Sequence, residues 1–227
     1  MFQEDAFSVA CIAAHPDDEV LFCGGSLARH AQAGHRVATL ILGAGLDARG
    51  EASAGQHAAL LAAAAEAARR LGAPPPRCLD FADNQFDTVP LLSLIRAIEA
   101  FVAETKPAIV YTHHRGDLNV DHRRVHEAVL TACRPLPGAT VRRILCGETP
   151  SSTEWQAPGE RAFRPVVFHD IGAAVGAKVA AMQAYSSEIR AFPHPRSAEA
   201  IRALAELRGA QSGFAAAEAF ELVRAVA

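Results

Sequence analysis

Short apolar runs alternate along this chain with longer segments of helical period. Val9–Ala14 is an uninterrupted apolar run of strand length, and Val37–Leu42 is a second. Between them, Gly24–Ala33 fits a short helix that stops at Gly34, a residue suited to the left-handed backbone of a helix end. Ala58–Leu71 is rich in Ala and Leu, carries Glu66, Arg69 and Arg70 on its polar face, and runs into Gly72 and three prolines that cannot continue it. Leu91–Glu104 sets Leu91, Leu94, Ile95, Ile98 and Val102 at helical spacing, the pattern of ordinary core. Ala108–Thr112 reads as a strand and Asp121–Cys133 as a helix closed off by Pro135. Val141–Leu145 and Val166–Phe168 read as further short strands, and the sixty residues at the C-terminal end as mostly helical. This order predicts an α/β fold, a mostly parallel sheet with helices on its faces. No composition break, internal repeat or low-complexity linker interrupts it, so one domain over 1–227 is expected.

Polar residues interrupt the pattern at two places. The first apolar run ends in Ala14-His15-Pro16-Asp17-Asp18-Glu19, which packs four ionisable side chains into a strand end and turn. One imidazole beside adjacent carboxylates suits a small divalent metal. A polar turn in which Asp18 or Glu19 caps the next helix is the plainer reading of the same residues. The second cluster, Thr112-His113-His114-Arg115-Gly116-Asp117-Leu118-Asn119-Val120-Asp121-His122, also lies just beyond a predicted strand. In a parallel sheet both strand ends share one carboxyl edge, so the two clusters converge on one crevice. Asn119 or Asp121 caps the following helix, and His122 falls in its first turn, where the helix dipole disfavours imidazolium. A neutral imidazole is what a metal needs. His126, near Glu127, reads as structural, and His30, His35, His57 and His169 have no clustered partner.

The chain has 227 residues, half of them hydrophobic, and a net charge of −3. That balance argues against nucleic-acid binding, while leaving room for a local basic cleft that takes an anionic small molecule. The five cysteines form no C-x-x-C pair, so neither a disulfide framework nor a thiolate zinc ribbon is indicated, and a reducing cytoplasm is the expected location. No apolar run approaches the length of a bilayer span, so no membrane partner is expected. Gly43-Ala44-Gly45-Leu46-Asp47-Ala48 satisfies G-x-G-x-x-A after a strand. Gly50, Ser53 and Gly55 keep that segment loop-like, which makes it weak evidence for a dinucleotide.

The Ala14–Glu19 motif, Asp121-His122 and the terminal Ala217-Glu218-Ala219-Phe220 together resemble the PIG-L/LmbE family of zinc-dependent N-deacetylases. The resemblance extends to Asp83-Asn84, to Pro193-His194-Pro195-Arg196-Ser197 and to Arg208-Gly209, features of one bacterial branch. It implies a Rossmann-like three-layer fold in which His15, Asp18 and His122 ligate one zinc ion per chain and Asp17 is the catalytic base. The implied reaction removes an N-acetyl group from a small amino sugar or sugar conjugate, such as a nucleotide sugar, glycoside or aminoglycoside-type intermediate, giving acetate and a free amine. Many relatives carry His-Pro-Asp-His where this chain has Asn119-Val120-Asp121-His122. Asn119 can donate a hydrogen bond to an oxyanion but cannot carry a proton, leaving His113, His114 and His194 as the alternatives for that step. Asp121 is expected to orient a neighbour. Arg49, Glu51, His114, His194 and Arg196 are the candidates for substrate contact, and a homo-oligomer is the expected assembly. Two other classes fit parts of the pattern: a phosphoesterase, which needs two metals, and a non-catalytic nucleotide-binding module using the Gly43–Gly45 loop.

Overall fold

The computed structural model describes residues 7–43, 54–159 and 161–227. Its core is a seven-stranded sheet: Ser8–Ala13 (β1), Arg36–Gly43 (β2), Arg77–Phe81 (β3), Ile109–His113 (β4), Arg143–Gly147 (β5), Val167–Asp170 (β6) and Ala217–Ala225 (β7), in the order β3-β2-β1-β4-β5-β7-β6. The first five strands run parallel, and β7 lies antiparallel between β5 and β6. The helices are Asp18–Gln32 (α1), Ala54–Leu71 (α2), Leu91–Thr105 (α3), Val120–Ala132 (α4), Val175–Ala184 (α5) and Ala198–Ala210 (α6). The mixed, mostly parallel α/β fold expected from the alternation is the one observed.

Side chains of β1 alternate between two cores, as a strand requires. Ala10 and Ile12 pack with α3 and α4 through Leu94, Ile98, Val125 and Val129. Val9, Cys11 and Ala13 pack with α1 through Phe22, Cys23 and Leu27. On its other side α1 meets α2 and α5 through Val20, Leu21 and Ala28, so it is buried nearly all round. That burial explains its glycines: a Cβ on Gly25 would stand 2.7 Å from the Ile171 side chain.

Three expectations need correction. The helix read as Gly24–Ala33 begins at Asp18, because Asp18 and Glu19 of the polar turn and the apolar Val20–Cys23 form its first turns, buried against neighbouring elements. Strand β3, following the three prolines, was not anticipated. The mostly helical C-terminal region does hold α5 and α6, but Ala217–Ala225 is a strand despite its helix-favouring Ala and Glu, because it fills the gap between β5 and β6.

The chain leaves β1 toward β2 and β3 on one side, and β4 and β5 occupy the other. The carboxyl ends of β1 and β4 therefore adjoin at the point where strand order reverses, with Cys11 beside Tyr111 in register. Open α/β sheets bind ligands in such a crevice.

Candidate metal centre and active site

The two polar clusters meet at this edge. Asp18 opens α1, and its Oδ2 accepts the His15 backbone N–H at 2.8 Å. The same oxygen lies 3.4 Å from His15 Nδ1 and 3.3 Å from His122 Nε2. These three ligand atoms all fall within 4.8 Å of one another. A tetrahedral site with bonds of ~2.0–2.1 Å has edges of about 3.3–3.4 Å, so the spacings suit a zinc-sized ion. Each histidine is backed by carboxylate on its other nitrogen: His15 Nε2 lies 2.9 Å from both Asp121 Oδ2 and Asp83 Oδ1, and His122 Nδ1 lies 3.1 Å from Asp117 Oδ1. That arrangement leaves one nitrogen of each ring for a metal and fixes its direction.

The carboxylates are themselves held. Asp121 Oδ2 also accepts the Asn84 N–H at 2.6 Å, and its Oδ1 accepts the Phe86 N–H at 3.0 Å. Asp117 accepts hydrogen bonds from the hydroxyls of Ser152 and Thr153 and from the Asn119 N–H. The electrostatics call for a cation. Burial opposes charge on His15, but Asp121, Asp18 and Asp83 hold its pKa well above the ordinary value. Burial likewise opposes charge on His122, but Asp18 and Asp117 raise it to about 9. Burial would raise the Asp18 carboxyl, yet the facing His122 and His113 keep it well below the usual range. His15, Asp18 and His122 thus fit a divalent metal both by spacing and by their need for positive charge.

Asp17 sits beside this triad, 2% exposed, with φ 103°, an unusual value for a non-glycine residue. Its carbonyl accepts the N–H groups of Val20 and Leu21, each at 3.0 Å, and its own N–H donates to Glu19 Oε2 at 3.1 Å. Glu19 is fixed in turn by the Tyr185 hydroxyl at 2.6 Å. Burial drives the Asp17 carboxyl well above the usual range, while the Arg196 guanidinium, with Nη1 2.9 Å from Oδ2, pulls it back. Arg196 also donates to Glu188 Oε2 and to Ser151 Oγ.

With this geometry in place, sequence comparison is decisive: residues 10–133 match the family described as PIG-L, GlcNAc-PI de-N-acetylase. The chain belongs to the PIG-L family. A relative, the uncharacterized deacetylase YaiS of Escherichia coli strain K12, is 33% identical over 168 residues, covering 72% of this chain and 81% of that protein. The PIG-L fold is matched by N,N'-diacetylchitobiose deacetylase from Pyrococcus horikoshii, at TM-score 0.78 and 20% identity, over 97% of this chain and 85% of that one. It is matched almost as well by GalB, the 4-carboxy-2-hydroxymuconate hydratase of Pseudomonas putida KT2440, at TM-score 0.76 and 22% identity, over 97% and 98% of the two chains. One scaffold therefore carries both a deacetylase and a hydratase, so the reaction has to be argued from the site.

Within this PIG-L scaffold, His15, Asp17, Asp18, His122 and Arg196 come together. Asn119 is the α4 N-cap: Oδ1 accepts the Asp121 N–H at 2.8 Å and Nδ2 donates to Asn84 Oδ1 at 3.0 Å. Asp121 faces His15 and not His122. His114 is turned away from the crevice, fully buried, with Nδ1 2.9 Å from Glu221 Oε2 and Nε2 2.7 Å from the Arg161 carbonyl, which leaves neither ring nitrogen for substrate. His113 accepts the Ala14 N–H at Nε2 and stacks on His122, and burial lowers its pKa to about 3, so it is neutral. His194 is at the rim, its Nδ1 accepting the Arg196 N–H and its ring edge-on to the exposed Trp155. Arg49, Glu51 and Gly45 lie outside the described residues. Asp117, Glu19, Tyr185 and Glu188 were not singled out from sequence. Asp117 stood within the second cluster five positions before His122, whereas nothing local marks Tyr185 or Glu188.

Proposed function

We propose that this protein is a zinc-dependent hydrolase that removes the N-acetyl group from a small amino sugar or sugar conjugate, releasing acetate and a free amine. The observation that carries the reading is the buried Asp17 carboxyl set directly beside a His-Asp-His triad spaced for one tetrahedral ion. His15, Asp18 and His122 would hold the zinc ion, which when bound would supply an acidified water and a Lewis acid for the acetamide oxygen. The chain's own residues supply the rest. Asp17 takes the proton of the attacking water, and its burial-raised pKa lets it hold that proton until the amine leaves. Arg196 keeps Asp17 oriented and offsets part of the burial that raises its pKa. Asp121 and Asp83 fix His15, and Asp117 fixes His122.

This division leaves no proton-transfer role for Asn119, whose amide is committed to capping α4 and to Asn84. The buried, neutral His113 and the fully engaged His114 are also unsuited, and His194 stands at the rim with its Nδ1 taken by the Arg196 N–H, so the return of the proton is assigned to Asp17, which adjoins the triad. The phosphoesterase reading lacks support: the only other clustered set among the described residues, His15 with Asp83 and Asp121, shares His15 with the first. Both oxygens of Asp121 in that set are already bonded to backbone N–H groups.

The test is elemental analysis of purified protein together with acetate release from N-acetylated amino sugars. One zinc per chain, lost in a folded Asp18→Ala variant along with acetate release, upholds the reading. Acetate release from a variant that holds no metal overturns it.

A further inference from the structure

The chain carries a net charge of −3, yet one open cleft of about 400 Å³ has Arg115, Arg123, Arg124 and Arg161 in its wall, with Glu127 the one carboxylate among the described residues that line it. It lies on the flank of α4, whose first turn sends His122 to the metal centre while the next two residues line the cleft. We propose that this cleft is a binding site for a phosphate or diphosphate group.

Two features make it a prepared site as well as a charged surface. Arg123 Nη1 donates to the carbonyls of Asp117 at 2.7 Å and Leu118 at 2.6 Å. Those acceptors are neutral carbonyls, so they hold the guanidinium in the cleft wall without cancelling its charge. The Arg161 backbone is clamped as well: its carbonyl takes a hydrogen bond from His114 Nε2 at 2.7 Å and packs so closely on Gly116 that a Cβ there would overlap it. A guanidinium held in advance, as that of Arg123 is, loses little freedom on binding, and the planar fork of each arginine matches phosphate oxygens two at a time. The volume is within the range of small-ligand pockets. Glu127 pairs with Arg124 at 2.8 Å on the exposed side, an ion pair that a multiply charged anion would displace.

The inference is independent of the hydrolytic reading, since it concerns binding and not turnover. Isothermal titration of the purified protein with inorganic diphosphate tests it. Saturable binding is expected, weakened about tenfold or more by Arg124→Gln and by Arg115→Gln, and tightened severalfold by Glu127→Gln. It is expected to survive in Asp18→Ala, which separates the cleft from any anion held at the metal. No saturable binding, or binding indifferent to the arginine and glutamate substitutions, or binding lost only in Asp18→Ala, overturns the proposal. The phosphate source is then read from the Asp18-intact protein. Competition by diphosphate against hydrolysis of UDP-N-acetylglucosamine but not of N-acetylglucosamine assigns the cleft to a phosphorylated substrate. Binding without competition assigns it to a free anion.

Discussion

Asp17 and Arg196 stand 179 positions apart in the chain and meet in an ion pair of 2.9 Å beside the metal triad. The arginine also reaches Glu188 and Ser151, so one guanidinium ties three segments around the carboxyl proposed as the base. Removing it strands a buried carboxylate without a partner. Arg196→Gln is expected to lower kcat/KM for deacetylation by about 10–100-fold at unchanged metal content, with partial rescue by Arg196→Lys. Steady-state kinetics and elemental analysis on the same preparations check this. An unchanged kcat/KM would remove Arg196 from the account.

Asp17→Asn keeps the shape and removes the base. Acetate release is expected to fall by about 10²–10⁴-fold, while zinc content stays near that of the unaltered protein. Retained activity would transfer the role of base to another group.

Asp117 and Asp121 each back a histidine ligand. Asp117→Asn and Asp121→Asn are expected to weaken zinc binding by about 10–100-fold, measured by competition with a chelating dye. Asp121→Asn also turns an amide toward the N–H of Asn84 or Phe86, so its thermal midpoint should drop as well, by about 1–3 kcal/mol of stability.

Chelation tests the same centre without mutation. If zinc binds the folded chain alone, a hundredfold excess over its Kd stabilises by about 2.7 kcal/mol. EDTA is expected to lower the thermal midpoint and zinc to restore it. A midpoint indifferent to both would speak against the site.

Stability below neutral pH should depend on a second histidine group, His30 and His35 at and just beyond the C-terminal end of α1 together with His169. His30 bonds the Tyr111 hydroxyl at 2.7 Å and His35 at 2.8 Å, and His169 faces Ser26 at 3.1 Å. Burial, with the neighbouring His169 and His35 charges, lowers His30 to about 3, and burial lowers His169 to about 4. The unfolded chain therefore binds protons here that the folded one refuses, and the stability these groups confer above about pH 6.5 is lost as pH falls toward their folded values. Denaturant melts from pH 7.5 to 5 should show falling stability, a loss on the order of a few kcal/mol. His30→Asn should flatten part of that slope.

The reach of sequence reasoning was set by how local each signal is. Val9–Ala14, Val37–Leu42 and Leu91–Glu104 declared themselves because burial on two faces, or on one, leaves a run or a period in the residues themselves. That the two polar clusters meet was legible because the parallel sheet turns two strand ends into neighbours, a rule that needs only the element order; the choice of His15, Asp18 and His122 within them came from the resemblance to the PIG-L/LmbE family. Helix α1 was cut short because Asp17-Asp18-Glu19 read as a polar turn, whereas Asp18 and Glu19 form the buried first turn of the helix. Strand β7 was hidden because its residues favour a helix and its conformation is imposed by β5 and β6. Glu19 looked like one more acid in a turn, whereas its work is to accept the Tyr185 hydroxyl and the Asp17 N–H, which no spacing announces.

Strand β7 also reaches into α1. The Glu218 carboxylate accepts the N–H groups of Gly25 at 2.8 Å and Ser26 at 2.7 Å, and Lys178 bridges Glu218 to the Leu21 carbonyl. The helix whose first residue is a proposed metal ligand is thus completed by a side chain 193 positions downstream. During synthesis the N-terminal strand and helix emerge early, but their buried middle has no partner until residues 217–220 are made. A nascent chain shorter than that holds His15, Asp18 and His122 without the scaffold that fixes them, so the proposed metal centre can form only late and for the whole chain at once.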